Sequence, residues 1–151
     1  MRARVLAVVA ASAAAPGLAA CGSGHAAQPS ASPGAYVGAV QDLLGPPARL
    51  ASLLRDPLEG REVPAGDVAE ARRLVAAARE DLAALRALRI DDPALRRQRD
   101  ALAGASQSMV FHMQRVADDL AQGDRAALRT HAPSLFAAMR GLSSAVSSPR
   151  R

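Results

Sequence analysis

Between residues 95 and 120 the apolar positions Leu95, Leu102, Met109 and Val116 recur every seven residues, with Met113 and Leu120 flanking the line. A helix returns a side chain to the same face after about seven residues, whereas a strand alternates at every second one. The rhythm returns at Leu128, Leu135 and Leu142, with Ala138 and Met139 beside them. Steps of three and four also connect Val68, Ala71, Val75, Ala78, Leu82 and Leu85. A further segment, 35–55, sets Tyr36, Val40, Leu43, Leu44, Leu50, Leu53 and Leu54 on one side. Apolar stripes of this kind must be covered, and helices joined by short turns cover one another. Composition agrees, because 37 of the 151 residues are Ala and all 19 cations are Arg, both strong helix formers. Only Tyr36, Phe111 and Phe136 are aromatic, which leaves little to fill a sheet. The expected fold is all-α: a small antiparallel, up-down bundle of about four helices over 35–147, with a frayed tail at 148–151.

Punctuation residues place the turns. Asp92 is an N-cap candidate and Pro93 suits the first helical position, where its missing N–H costs nothing. Gly123 fits the C′ position and Asp124 the next N-cap. Asp67, with Glu70 three residues on, looks like a capping box that opens the second long helix. The stretch 56–66 is turn-rich. Gly45-Pro46-Pro47 interrupts the first stripe, and each proline lacks an N–H and crowds the carbonyl four residues back, so the first helix is expected in two pieces with a bend. Pro133 predicts a kink near Arg129–Thr130. Short turns after Leu88 and after Gln122 make the neighbouring helices antiparallel.

The chain has no Lys, Asn or Trp. A P-loop lysine, a Schiff base, a Ser–Lys dyad and an N-glycosylation sequon are therefore excluded within it. One local cluster has ligand chemistry: Met109, His112 and Met113 stand at i, i+3 and i+4, and thioether plus imidazole suits Cu(I). His131 lies about one helical turn from His112 in height if the hairpin around Gly123 is ideal. Core packing explains Met109 and Met113 as well, since both already lie on the apolar stripe. The carboxylates Asp118, Asp119 and Asp124 at one turn, and Asp56, Glu59, Glu62, Asp67 and Glu70 at another, read as solvated caps rather than as an acid–base pair. Ser106, Ser108 and Ser134 read as spacers, and no nucleophile, base and oxyanion group can be assembled, so no enzyme is expected.

The N-terminal segment is an address. Arg2 and Arg4 precede an apolar or small run, 5–15, closed by Pro16-Gly17 and then Leu18-Ala19-Ala20-Cys21. Eleven helical residues span roughly 16 Å, about half a ~30 Å hydrocarbon core, so the pattern is that of a secretory signal and not of a span. An aliphatic residue, two small ones and a cysteine resemble the lipobox of bacterial lipoproteins. The resemblance implies removal of residues 1–20, with Leu18, Ala19 and Ala20 recognised by the signal peptidase. It also implies a diacylglyceryl group on the Cys21 thiol, with a possible N-acyl chain, and no other cofactor. Cys21 is the only cysteine, so no intrachain disulfide competes for it. Residues 21–34 then read as a disordered tether with about 20 Å of r.m.s. reach. The composition resembles small Ala/Arg-rich lipoproteins of high-GC Gram-positive bacteria, a likeness that lends no active site.

Arg72, Arg73, Arg86, Arg89, Arg96, Arg97 and Arg99 suggest a basic zone around the second turn. Nucleic acid is not the expected partner, because export removes the chain from it and no aromatics interleave for stacking. Loss of Arg2 and Arg4 with the leader takes the formal charge from +5 to +3. The expected partners are the lipid bilayer, through Cys21, and an envelope protein, with Arg86, Arg89, Arg96, Arg97 and Arg99 facing anionic headgroups at the extracytoplasmic side of the cell membrane. The expected role is a membrane-anchored, non-enzymatic helical interaction domain. A soft-metal or hydrophobic-ligand carrier using Met109, His112, Met113 and His131 is the alternative.

Overall fold

The computed structural model describes residues 30–147. The expected leader 1–20, Cys21, residues 22–29 of the expected tether and the expected frayed tail 148–151 lie outside the described residues. Five helices follow one another: α1 Pro33–Leu53, α2 Arg55–Leu58, α3 Ala65–Ala87, α4 Pro93–Gln122 and α5 Arg125–Ser147. No strand occurs among the described residues. The four long helices form the antiparallel bundle, with α1 packed on α3, α3 on α4, and α4 most extensively on α5. Only a slight contact joins α1 to α5, so the ring of helices closes weakly there. The core runs down the centre through Leu43, Leu50, Leu85, Leu102, Met113 and Leu135, all essentially inaccessible.

Two polar rungs fix the pairing of α3 with α4. Arg79 donates to Gln114 Oε1 at 2.9 Å and Arg86 to Gln107 Oε1 at 2.6 Å. Seven residues up α3 thus match seven residues down α4, the repeat that the apolar seam also follows.

The caps of α4 and α5 form as the sequence indicates. Asp92 accepts from the amides of Ala94 and Leu95 at 2.7 and 3.1 Å, and Asp124 from those of Ala126 and Ala127 at 3.0 and 2.9 Å. Gly123 takes the left-handed conformation, φ 65°, and its N–H reaches the Asp119 and Leu120 carbonyls.

Several expectations need correction. Helix α1 does not break at Gly45-Pro46-Pro47 but runs through both prolines. The buried positions Tyr36, Val40, Leu43, Pro47, Leu50 and Leu54 advance by four and three without a slip, so the Pro47 ring is itself part of the seam. Continuity of burial outweighs the two missing donors. The interruption comes instead at Leu54, just after Leu53, whose carbonyl would need the N–H that Pro57 lacks. At the other end of α1, Pro33 and Gly34 belong to its first turn, with Ser32 Oγ accepting from the Ala35 amide at 3.2 Å. The expected tether loses those two residues to the helix, and Ser30, Ala31 and Ser32 are held by hydrogen bonds as well. Asp67 is not a cap either: α3 starts at Ala65, three residues before the expected Val68, behind an extended Pro64, leaving Asp67 in the first turn, where its charge favours the helix dipole. Pro133 lies inside α5, which is one helix across it, so the kink expected there is compatible with the assignment.

Candidate functional site

Alternating helix directions bring the start of α1, the turn 88–92 and the end of α5 to one end of the bundle. The Ala31 amide donates to the Arg89 carbonyl at 2.8 Å, and Ser30 Oγ donates to the Asp91 carboxylate, so the entering chain is bonded to that turn before α1 begins. Arg86, Arg89, Arg96, Arg97 and Arg99 gather at this entry end. Arg72 and Arg73 do not, because fourteen residues of α3 separate Arg72 from Arg86, a distance of about 21 Å. Arg73 is paired with Glu70 at 2.8 Å instead.

The arginines of the entry end have different employments. Arg99, mostly buried, donates to the Leu88 carbonyl at 2.7 Å and pairs with Asp100 at 2.7 Å, which makes it a clamp on the turn. Arg89 lies 3.7 Å from Asp91. Arg96 and Arg97 are exposed and form no ion pair among the described residues. Both stand near the start of α4, where the helix dipole disfavours cations, so helix stability does not account for them. Carboxylates share this end, namely Asp91, Asp92 and Asp100, and they dilute its positive field. At the opposite end Arg61 bridges Asp56, at 3.0 Å, and Glu59. Those partners, the Glu59 hydrogen bond first, raise the Arg61 pKa.

The methionine–histidine cluster separates. Met109 and Met113 are fully buried in the core. His112 stays half-buried beside Phe111, with ring centroids 5.3 Å apart in an edge-to-face arrangement. His131 points its Nδ1 at Asp119 Oδ2, 2.7 Å away. A soft ion would have to reach thioethers that solvent does not touch. No group of three or more His, Cys, Asp or Glu positioned to hold a metal ion occurs among the described residues.

Three features went unread in the sequence. Asp119, expected to be solvated, is 8% exposed and bonded to His131; its position three residues past Val116 was the available signal. Ser106, expected as a spacer, lies one turn after Leu102 on the seam and is fully buried, its Oγ without a hydrogen-bond partner. Phe111 is 57% exposed on the outer face of α4, with the Arg115 guanidinium 5.8 Å from its ring centre. A different clue came from Asp81, whose pKa is raised by burial first and then by Asp42 and Glu80. It marks a crowded acidic strip where α1 meets α3.

No helix of the described residues is long and apolar enough to cross a membrane. Compared with known proteins, the chain matches no family model, no curated protein and no solved structure.

Proposed function

We propose that this chain is a lipoprotein of the cell envelope, held by Cys21 on the extracytoplasmic face of the membrane, whose helical bundle acts without catalysis as an interaction domain. The observation that carries the orientation is the Ala31–Arg89 bond, which joins the entering chain to the arginine-bearing turn. Nine residues separate Cys21 from Ala31. Even fully extended they reach at most about 35 Å, so an acylated Cys21 keeps that end of the bundle near the headgroups. Arg96 and Arg97, exposed and without an ion pair among the described residues, are the side chains that meet anionic lipid, each adding ~1 kcal/mol close to the surface. Two acyl chains on Cys21 would supply stable anchoring, at ~0.8 kcal/mol per buried methylene. An envelope protein is the partner left to the outward-facing parts of the bundle.

Metabolic labelling with an alkyne palmitate, comparing the wild-type chain with Cys21→Ser, tests the anchor. Label confined to the wild type supports it, and an unlabelled wild-type chain overturns it. Flotation of the Cys21→Ser chain with anionic vesicles tests the orientation. Binding at low salt that disappears at high salt, and in an Arg96→Glu/Arg97→Glu variant, is expected. Binding indifferent to both salt and charge reversal refutes the basic face.

A further inference from the structure

The weak closure between α1 and α5 leaves a furrow floored by α4. Near the entry end it widens into a cavity of about 290 Å³, bounded by Val40 and Leu44 of α1, Leu102 and Gln98 of α4, and Val146 of α5. Below Leu44 lies a second cavity of about 200 Å³, between Pro47 and Ala48 on one side and Leu142 and Ser143 on the other, with Met109 beneath. Leu44 borders both, so the two spaces are neighbours along one line. Together they reach the size of sites that hold small molecules, ~300–1,000 Å³. From Tyr36 to Pro47 the furrow follows eleven residues of α1, about 16 Å. A zigzag twelve-carbon chain, whose ~1.5 Å bonds each advance about 1.3 Å, extends to about 14 Å and fits within that length.

Neither lining contains a charged residue. Gln98 Oε1, however, is buried without a hydrogen-bond partner, a state that costs ~1–3 kcal/mol unless something answers it. Rotation of the amide would present a donor in its place, so a group that both donates and accepts suits this position in either orientation. A hydroxyl does this, and an anionic headgroup does not. At the mouth Val37 is 51% exposed, one of the two large hydrophobic side chains held in water among the described residues. We propose that the α1–α5 furrow binds one alkyl chain of an uncharged, hydroxyl-bearing amphiphile, its tail along Leu44 and Leu142 and its hydroxyl at Gln98. The site lies at the same end as the exposed arginines, but it rests neither on the Cys21 anchor nor on their charge.

The chain carries its own reporter, since it has no Trp and Tyr36, which lines the upper cavity, is its sole tyrosine. Tyrosine emission of the full-length Cys21→Ser chain is titrated with monolauroylglycerol below its micelle concentration, in the absence of vesicles. Saturable change at about one equivalent is expected, and no saturable change overturns the proposal. Val146→Phe narrows the upper cavity at a half-buried rim position and should weaken binding at least tenfold, with far-UV circular dichroism unchanged. Gln98→Leu should weaken monolauroylglycerol about tenfold, the equivalent of one hydrogen bond, while raising affinity for dodecane. Equal affinity in both variants and wild type refutes the furrow. Laurate binding more tightly than monolauroylglycerol at pH 8 refutes the hydroxyl assignment. Because no acyl anchor or membrane is present, failure here is distinct from failure of the lipoprotein reading.

Discussion

Pro46→Ala changes stability in opposite directions in a continuous first helix and in a broken one. In the continuous α1, residue 46 occupies an interior position, where proline costs ~3 kcal/mol relative to alanine through its missing N–H and its clash with the Asp42 carbonyl. Alanine restores that donor. It still precedes Pro47, which disfavours helical dihedrals in the residue before it, so part of the penalty remains. The ring of Pro46 is half-buried, and its loss removes up to ~1 kcal/mol of apolar burial. The balance is a gain of about 1–2 kcal/mol, or roughly 4–8 °C in Tm for a domain of this size. If the chain broke at 45–47, no hydrogen bond would be recovered. Alanine would then only enlarge the unfolded ensemble and cost ~0.4–1 kcal/mol. Urea unfolding followed by far-UV circular dichroism decides the sign. A midpoint equal to or below wild type, at unchanged m, refutes the continuous helix. Pro47→Ala serves as the internal comparison, because Pro47 is wholly buried and its ring is lost from the seam. Its gain in backbone bonding is offset by the cavity, leaving a change near zero or a loss of ~1 kcal/mol.

Other substitutions probe the core, the caps and the acidic strip. Met113→Leu should cost less than ~1.5 kcal/mol and Met113→Ala ~2–5 kcal/mol, measured by the same denaturation, as befits a buried packing residue; a larger loss for leucine than for alanine contradicts packing. Gly123→Ala places a Cβ in open space but at φ 65°, so the cost of ~1–2 kcal/mol is purely conformational. Gly104→Ala, in the middle of α4 and also facing open space, should stabilise by ~0.5–1 kcal/mol, and both glycines shifting Tm the same way would count against this assignment. Asp81→Asn should stabilise at pH 7 by a few tenths of a kcal/mol after allowance for solvent screening. Because the folded-state pKa of Asp81 is raised, its favourable contribution is present below its unfolded value of ~3.9 and is lost as pH rises through the folded one. The advantage of the variant should therefore shrink toward pH 3.5, and an advantage that grows on acidification refutes the assignment.

What the sequence made legible follows from how local each signal is. Asp92-Pro93 and Gly123-Asp124 act within a few residues on orphan amides and carbonyls, and their caps form as read. The heptad of Leu102, Met109 and Val116 declares its own buried face. Pro46 and Pro47 do not break the helix as expected, because a breaker rule is local, whereas what holds α1 together is a seam extending on both sides of them. Pro57, the proline that does end the helix, was hidden in a stretch already assigned to a turn. Asp67 follows the same logic: a plausible cap residue loses to Pro64 when three further residues can join the helix at small cost.

The candidate sites were less legible because they depend on which helices become neighbours. Seven-residue spacing determines that α4 has a buried face but not that α5 covers most of it while α1 covers little. Where α1 and α5 meet, Ala48 and Ser143 border the gap and cannot fill it, although each helix taken alone shows an unbroken apolar stripe. The positions along α4 that match Met113 and Leu120 one and two repeats earlier are Ser106 and Arg99, so the seam is apolar toward the Gly123 turn and polar toward the entry end. Gln98 belongs to that polar half. Along the furrow, the polar half of α4 leaves the wider gap, beside Gln98. That asymmetry puts the larger of the two furrow cavities at the end where the chain enters, close to Arg96 and Arg97 in the sequence.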